Sequence, residues 1–391
     1  MSTSPVDEMR GYSGLPSGHP IRTSTADSPL IAAARGLAPI RTPVWFMRQA
    51  GRSLPEYRAV RRGTDMLSAC FNTDLVVEIT MQPVRRYGVD AAILFSDIVV
   101  PLRAAGVDVD IREGVGPVLD EPFRHERDLE RLGSLDAEAI AGITDAVAQL
   151  VRELDGTALI GFCGAPFTLA SYMIEGGPSS GHHRTKALMW SRPQLWDALL
   201  SRMADLCGEF LRAQVLAGAS AVQVFDSWAG ALCRSDYVDR VLPHSRRLLA
   251  ATADLGVPRI HFGVGTGELL SDMAVEECEV VGVDHRVDMA DAVRRIGLGH
   301  SVQGNIDPAL ALAGGQMLKD ATRRVLAQGA CARGHILNLG HGVLPETDPA
   351  RLAELVEWVH ELPMRRLPAA PLADTQPLVE HSAPSSGTVG S

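Results

Sequence analysis

Paired cysteines, metal-ligand spacings, long apolar runs and any excess of positive charge are all missing from this 391-residue sequence. The six cysteines, Cys70, Cys163, Cys207, Cys233, Cys278 and Cys331, stand apart with no C-x-x-C pair and no histidine at ligand spacing. That excludes a disulfide framework or a zinc site and reads as reduced thiols. No stretch reaches the ~18 uninterrupted apolar residues of a membrane span, and the first residues carry Asp7 and Glu8 instead of an apolar secretion core. A cytoplasmic protein is expected. The formal net charge of −10 excludes the broad basic surface of a nucleic-acid or anionic-membrane binder, so an anionic ligand must be met by local cations. Histidines show neither H-E-x-x-H nor 2-His-1-carboxylate spacing, and no metal is expected.

What is present is an ordinary globular composition, 46% hydrophobic and 21% charged, enough for a sizeable core. Residues 1–28 and 366–391 are rich in Ser, Pro, Gly, Thr and Ala and read as disordered tails around one domain over 29–365. Within that domain short apolar runs alternate with helical periodicity. Strands are expected at Pro43 to Met47, Ala91 to Phe95, Ala158 to Cys163, Ser220 to Phe225, Arg259 to Phe262, Val280 to Val283, Ser301 to Gln303 and Ile336 to Leu339. Helices are expected at Asp74 to Tyr87, Asp136 to Glu153, Pro193 to Ala217, Ser235 to Ala253, Gly267 to Glu276, Asp288 to Ile296, Gly315 to Ala327 and Asp348 to Glu361. Eight strand–helix units predict an α/β fold, a single (β/α)8 TIM barrel, with a doubly wound open sheet as the second choice. Nearly every expected strand ends in a polar or glycine-rich cluster, and in a barrel these ends share one face.

The candidate chemistry sits in those clusters. Arg48, Gln49 and Arg52, with Ala50 and Gly51 between them, follow the first strand, and guanidinium forks suit carboxylates or phosphates. The competing reading pairs them with acids such as Glu56. Asp97 follows an apolar run and precedes Ile98-Val99-Val100, so it is poorly solvated and either caps a helix, pairs with an arginine or acts as a fixed negative charge. Tyr172 projects from a segment of small residues, Gly161 to Ser171. Ser227 has no Gly-x-Ser-x-Gly elbow and remains a hydrogen-bond donor, not a nucleophile. His341 lies between Gly340 and Gly342, where it can hold a carboxylate or move a proton. Gly263 to Gly267 lacks phosphate-loop spacing.

Several of these segments resemble the signatures of the uroporphyrinogen decarboxylase family. They are Pro43 to Arg52 with Leu54-Pro55-Glu56-Tyr57-Arg58, Gly161 to Tyr172, Leu94 to Ile98, Phe225 to Gly230, Gln303 to Pro308 and Asn338 to Val343. The resemblance runs from about Pro29 to Leu362. It implies a homodimeric barrel that removes CO2 from the four acetate side chains of uroporphyrinogen III, giving coproporphyrinogen III without metal or organic cofactor. By motif position it implies Asp97, Arg48 and Tyr172 as the catalytic set. Arg48, Gln49, Ala50, Gly51 and Arg52, with Asp97, Tyr172, Ser227 and His341, would bind substrate. Ser53 and His285 stand where the family usually has an aromatic residue and a tryptophan; the first departure is expected to loosen the arginine loop, the second to alter packing or the dimer contact. Three rivals remain: a cobalamin-dependent methyltransferase on a related barrel, for which Phe262-Gly263 after His261 supplies no cysteine ligand, a non-catalytic tetrapyrrole binder, which could dispense with Asp97, and a phosphate-binding barrel enzyme, which inorganic phosphate would protect.

Overall fold

The structure, a computed structural model, describes residues 12–363. Its centre is a parallel sheet of seven strands in the order β1 (Ala91–Ile93), β4 (Ala158–Gly164), β5 (Ala221–Asp226), β6 (Arg259–Gly263), β7 (Val280–Gly282), β8 (Ser301–Gln303) and β9 (His335–Ile336). A separate antiparallel hairpin, β2 (Asp110–Arg112) with β3 (Gly116–Val118), was not expected from the sequence. The parallel strands are buried along almost their whole length, with helices packed outside them, which is why they read as continuous apolar runs. Sequential neighbours pair in register, for example Phe162 with Gln223 and Phe225 with Phe262.

Where a closed ring of eight strands was expected, the ladder comprises an open, curled sheet of seven. The eighth candidate, Pro43 to Met47, makes a single parallel bridge, Val44 to Leu337. Its amides explain why it forms no ladder. Proline has no N–H to give; Val44 N–H donates to the Asp90 carboxylate at 2.8 Å, Phe46 N–H to Gln49 Oε1 at 3.1 Å and Met47 N–H to Asn338 Oδ1 at 3.1 Å. The segment still touches both edges of the sheet, since Asp90 N–H donates to Val44 O and Leu337 N–H to Pro43 O. Across the interior, Trp45 Nε1 donates to Gln303 Oε1 at 3.0 Å and Gln303 Nε2 to Gln223 Oε1 at 2.9 Å, so three separate segments meet inside the curl.

Two helix expectations also change. Ser235 to Ala253 divides into Arg234–Arg240 and Leu242–Ala250, because Pro243 must lie in the first turn of a new helix. Gly267 to Glu276 shortens to a 3-10 turn, Gly267–Leu269, and one helical turn, Leu270–Met273. The leader was expected to be disordered to residue 28, yet from Tyr12 onward it is folded. Tyr12 and Ile21 are sealed in the core, His19 Nε2 meets Val215 O at 2.8 Å, and Thr25 and Ser220 hydroxyls meet at 2.8 Å. Sparse apolar residues sufficed because Tyr12, Leu15 and Ile21 are all buried. Residues 1–11 and the tail expected over 366–391 lie outside the described residues.

Asp90 ties the unladdered segment down: its fully covered carboxylate accepts from Val44 N–H, from Arg41 at 2.7 Å and pairs with His360 at 2.7 Å. Asp90→Ala leaves the buried Val44 amide unsatisfied and takes away the carboxylate that Arg41 and His360 contact, and is expected to cost about 3 kcal/mol. Urea unfolding tests this; a loss below about 0.5 kcal/mol, the scale of an ordinary surface substitution, would contradict it.

Candidate active site

The strand ends are stitched into a rim by polar side chains. Asp284, buried after β7, accepts Gly265 N–H at 2.6 Å and Arg286 N–H at 3.0 Å, joining the loops after β6 and β7. Asn305, after β8, donates to the carbonyls of Asp284 and Val287 at 2.8 and 2.7 Å. At Gly340 a Cβ would fall 2.2 Å from the His285 amide nitrogen, so the loop after β9 packs directly on the loop after β7.

Arg48 stands on this rim with φ 58°, a left-handed conformation unusual for arginine. Glycines make that turn possible: a Cβ at Gly51 would lie 2.9 Å from Arg48 O, and one at Gly342 would lie 2.5 Å from Arg48 Cδ. The loop after β9 therefore shapes the arginine's aliphatic stem. The guanidiniums of Arg48 and Arg52 are exposed and have no hydrogen-bond or ion-pair partner among the described residues. Glu56, the acid that could have neutralised them, instead takes Arg86 through two bonds of 2.6 and 2.9 Å. Two free cations remain for an anion.

Gln49 does not join them. It is fully buried, its oxygen accepting Phe46 N–H and its nitrogen donating to Ala91 O at 3.1 Å. Its place as a substrate contact is corrected to a strut between the arginine loop and β1. Ala50 and Gly51 are half-buried at the base of the same loop.

Asp97 follows β1. The residue is half-buried, but protein surrounds the carboxyl closely enough that burial pushes its pKa up, with the Val99 amide at 3.1 Å, the Arg48 charge and the Ile98 amide acting against that rise. Arg48 is felt as a charge only. The Tyr172 hydroxyl is raised to about 12, first by burial and then by the Asp97 charge, with Arg48 opposing. His341 is held below its ordinary 6.5 by burial and by the charges of Arg48, His285 and Arg286. The Arg48 charge is thus felt at Asp97, Tyr172 and His341, and the Asp97 charge at Tyr172. His341 Nδ1 accepts Gly342 N–H at 2.8 Å, leaving the neutral ring's proton on Nε2 as a donor. Ser227 sits half-buried at the end of β5, one residue beyond Asp226.

Sequence reading missed the apolar side of the opening. Tyr172 stacks on Trp228 with ring centroids 4.0 Å apart, and Trp228 lies 4.5 Å from the His182 ring. Below, Phe225 meets Phe162 at 5.4 Å and Phe262 at 6.0 Å, both edge to face. The alternation of Gln223 and Phe225 along β5 carried that signal, because both point into the curl. The two departures from the family pattern are local: Ser53 is buried beside the Tyr87 hydroxyl, and His285 Nδ1 is buried without a hydrogen-bond partner among the described residues.

Residues 25–362 match the family model described as Uroporphyrinogen decarboxylase (URO-D). The chain belongs to this family. A uroporphyrinogen decarboxylase from Streptomyces coelicolor is 57% identical over 345 residues, covering 88% of this chain and 97% of its own. One from Rhodococcus opacus is 58% identical over 341 residues, covering 86% and 96%. Among solved structures, a methyltransferase from Methanosarcina mazei superposes with a TM-score of 0.71 at 18% identity over 86% of this chain and 98% of its own, a likeness of fold. Membership makes the chain a carboxy-lyase of porphyrin biosynthesis, and the methyltransferase alternative is not favoured.

Burial also fixes an acid response. His19, His182, His244, His335 and His341 are all held below 6.5 chiefly by desolvation, His335 to about 4. Between the folded and unfolded values the unfolded chain binds more protons, so their contribution is intact above 6.5 and is lost progressively as pH falls towards 4. Asp97, raised, acts in the opposite sense, one carboxyl against five imidazoles. The melting temperature should fall by several degrees between about pH 7.5 and about pH 5; a flat or rising profile would contradict the assignment.

Proposed function

We propose that this opening binds uroporphyrinogen III and removes the carboxyl groups of its four acetates in place, through Asp97, Arg48, Arg52, Tyr172, Ser227 and His341, without metal or organic cofactor. The observation that carries the proposal is the pairing of an unneutralised, desolvated carboxylate with two unpartnered guanidiniums at the same set of strand ends. A porphyrinogen has the complementary pattern, pyrrole N–H donors at its centre and carboxylates at its periphery. The arginines would hold peripheral carboxylates by forked, charge-assisted bonds. His341 Nε2–H, Ser227 and the Tyr172 hydroxyl would supply neutral donors, while Phe225 and Trp228 bring apolar surface against the ring edges.

Protonation of a pyrrole carbon makes the ring cationic. The C–C bond to the carboxylate then breaks, its electron pair neutralises the ring as an exocyclic methylene, CO2 leaves, a proton taken up at that carbon gives a methyl group, and the first proton leaves the ring carbon to restore the pyrrole. One proton is consumed overall. Asp97 acts on the cationic stage, where a fixed negative charge in a dry site is worth most. Arg48 delivers the ring proton through a bound carboxylate or water, since a guanidinium itself is too weak an acid near neutrality. The arginine segment Pro43 to Met47 is read as the eighth stave that completes the barrel, and the enzyme as a cytoplasmic homodimer. Among the described residues no helix is long and apolar enough to cross a membrane, which agrees with a substrate met in water.

Anaerobic incubation of EDTA-treated protein with uroporphyrinogen III should give a ladder from eight to four carboxyl groups on chromatography of the oxidised products. Asp97→Asn should slow it by about 100-fold, the scale seen when one preorganised electrostatic group is removed. Tight binding without loss of CO2 would indicate a non-catalytic binder, and no binding would remove the tetrapyrrole reading.

A further inference from the structure

Behind the aromatic wall lies a set of buried polar groups to which the decarboxylation chemistry assigns no part. Trp228 N–H donates to Thr168 Oγ1 at 3.3 Å, and Thr168 Oγ1 lies 3.1 Å from Asp226 Oδ1. The polarity of this chain is fixed. An amide can only donate, so the threonine hydroxyl proton is directed to the carboxylate. Asp226 and Thr168 are fully buried, and neither touches the opening. Asp226 Oδ2 has no hydrogen-bond partner, and the fully buried His261 lies behind it with Nε2 at 3.8 Å and both ring nitrogens unpartnered. The adjoining loop has little freedom, because a Cβ at Gly230 would fall 2.4 Å from Val264 O.

Carboxylates are rarely enclosed without a structural return, and apolar residues of similar volume would fill this space at lower cost. What this arrangement secures is the main-chain position of Trp228, the residue after Ser227 and the stacking partner of Tyr172. We propose that Thr168 and Asp226, with His261 behind them, are positioning residues for the reaction: they fix the Trp228 backbone, and through the 4.0 Å stack they set where the Tyr172 hydroxyl points. They act through Trp228 and touch no reacting atom. The inference rests on the decarboxylase reading for its kinetic consequence, but its structural half stands apart from that reading.

Thr168→Val keeps the shape of the side chain and removes the hydroxyl, and Thr168→Ser restores it. The valine variant should lose about tenfold in kcat/KM on uroporphyrinogen III, as expected for a displaced contact, and the serine variant should recover most of it. The second readout needs no substrate: the emission contributed by Trp228, obtained by subtracting Trp228→Phe in each background, should shift in the valine variant and return in the serine variant. Unchanged Trp228 emission and unchanged kcat/KM in a folded Thr168→Val protein would overturn the proposal. Equal losses in the valine and serine variants would do the same. Should the valine protein fail to fold, Thr168→Ala, which adds no bulk, is read by the same two measurements with the same expectations. If the wild-type chain forms no product, the decarboxylase reading has failed, and the emission shift still decides whether Thr168 holds Trp228.

Discussion

A carboxyl group taken out of bulk water and left without a cationic contact is the constraint from which the site follows. Asp97 has the amides of Val99 and Ile98 and the more distant charge of Arg48, and these do not offset the desolvation that raises its pKa. Surrounding groups respond to it. Tyr172 is driven further from ionisation, so the phenol stays a neutral donor at physiological pH, and His341, lowered by Arg48 and its neighbours, also stays neutral. The site therefore has one desolvated carboxyl group, neutral donors near it and positive charge at the edge. On the proposed mechanism, reorganisation would be avoided at the moment positive charge develops on the substrate.

Maintaining that order requires the rest of the rim to be rigid, and the fold achieves it with polar groups turned inward. Asp284 and Asn305 use their side chains on backbone amides and carbonyls of neighbouring loops, so each ties one strand end to the next, and Gln49 braces the arginine loop against the first residue of β1. Asp90 does the same where the sheet fails to form a ladder with the arginine segment. Glu56 is consumed by Arg86, which keeps it from quenching Arg48 and Arg52. Scaffold acids and ligand cations are thus kept apart by specific pairing.

Much of this was legible in the sequence because parallel strands buried on both faces leave apolar runs and end at a common edge. Ala158 to Cys163, Arg259 to Phe262 and Ser301 to Gln303 carry that signature within a residue of their observed bounds. Polar type alone, however, does not tell which way a side chain turns. Gln49 sits between two arginines in the sequence and still faces the sheet, because two backbone groups beside it would otherwise be unsatisfied. Trp228 was invisible for the opposite reason, as an apolar residue in a loop reads as core until its stacking on Tyr172 is known. The segment Pro43 to Met47 has strand composition but spends three of its four amides on the side chains of Asp90, Gln49 and Asn338, two of them long-range pairings that no local pattern encodes. Residues 12–28 fold for a similar reason: His19 and Thr25 find partners near Val215 and Ser220, about 195 positions away.

The central claim, that Asp97 is a desolvated carboxylate waiting for N–H donors, is tested most directly by its own titration. Carbon-13 labelling of aspartate and NMR, with Asp97→Asn used to assign the resonance, would follow the carboxyl in the free protein and with coproporphyrinogen bound. A titration point above the ordinary aspartate value of 3.8 that falls when the tetrapyrrole binds is the predicted result. A point at or below 3.8 in the free protein, unmoved by the ligand, would mean that the carboxylate is already satisfied, and the electrostatic account of this site would be wrong.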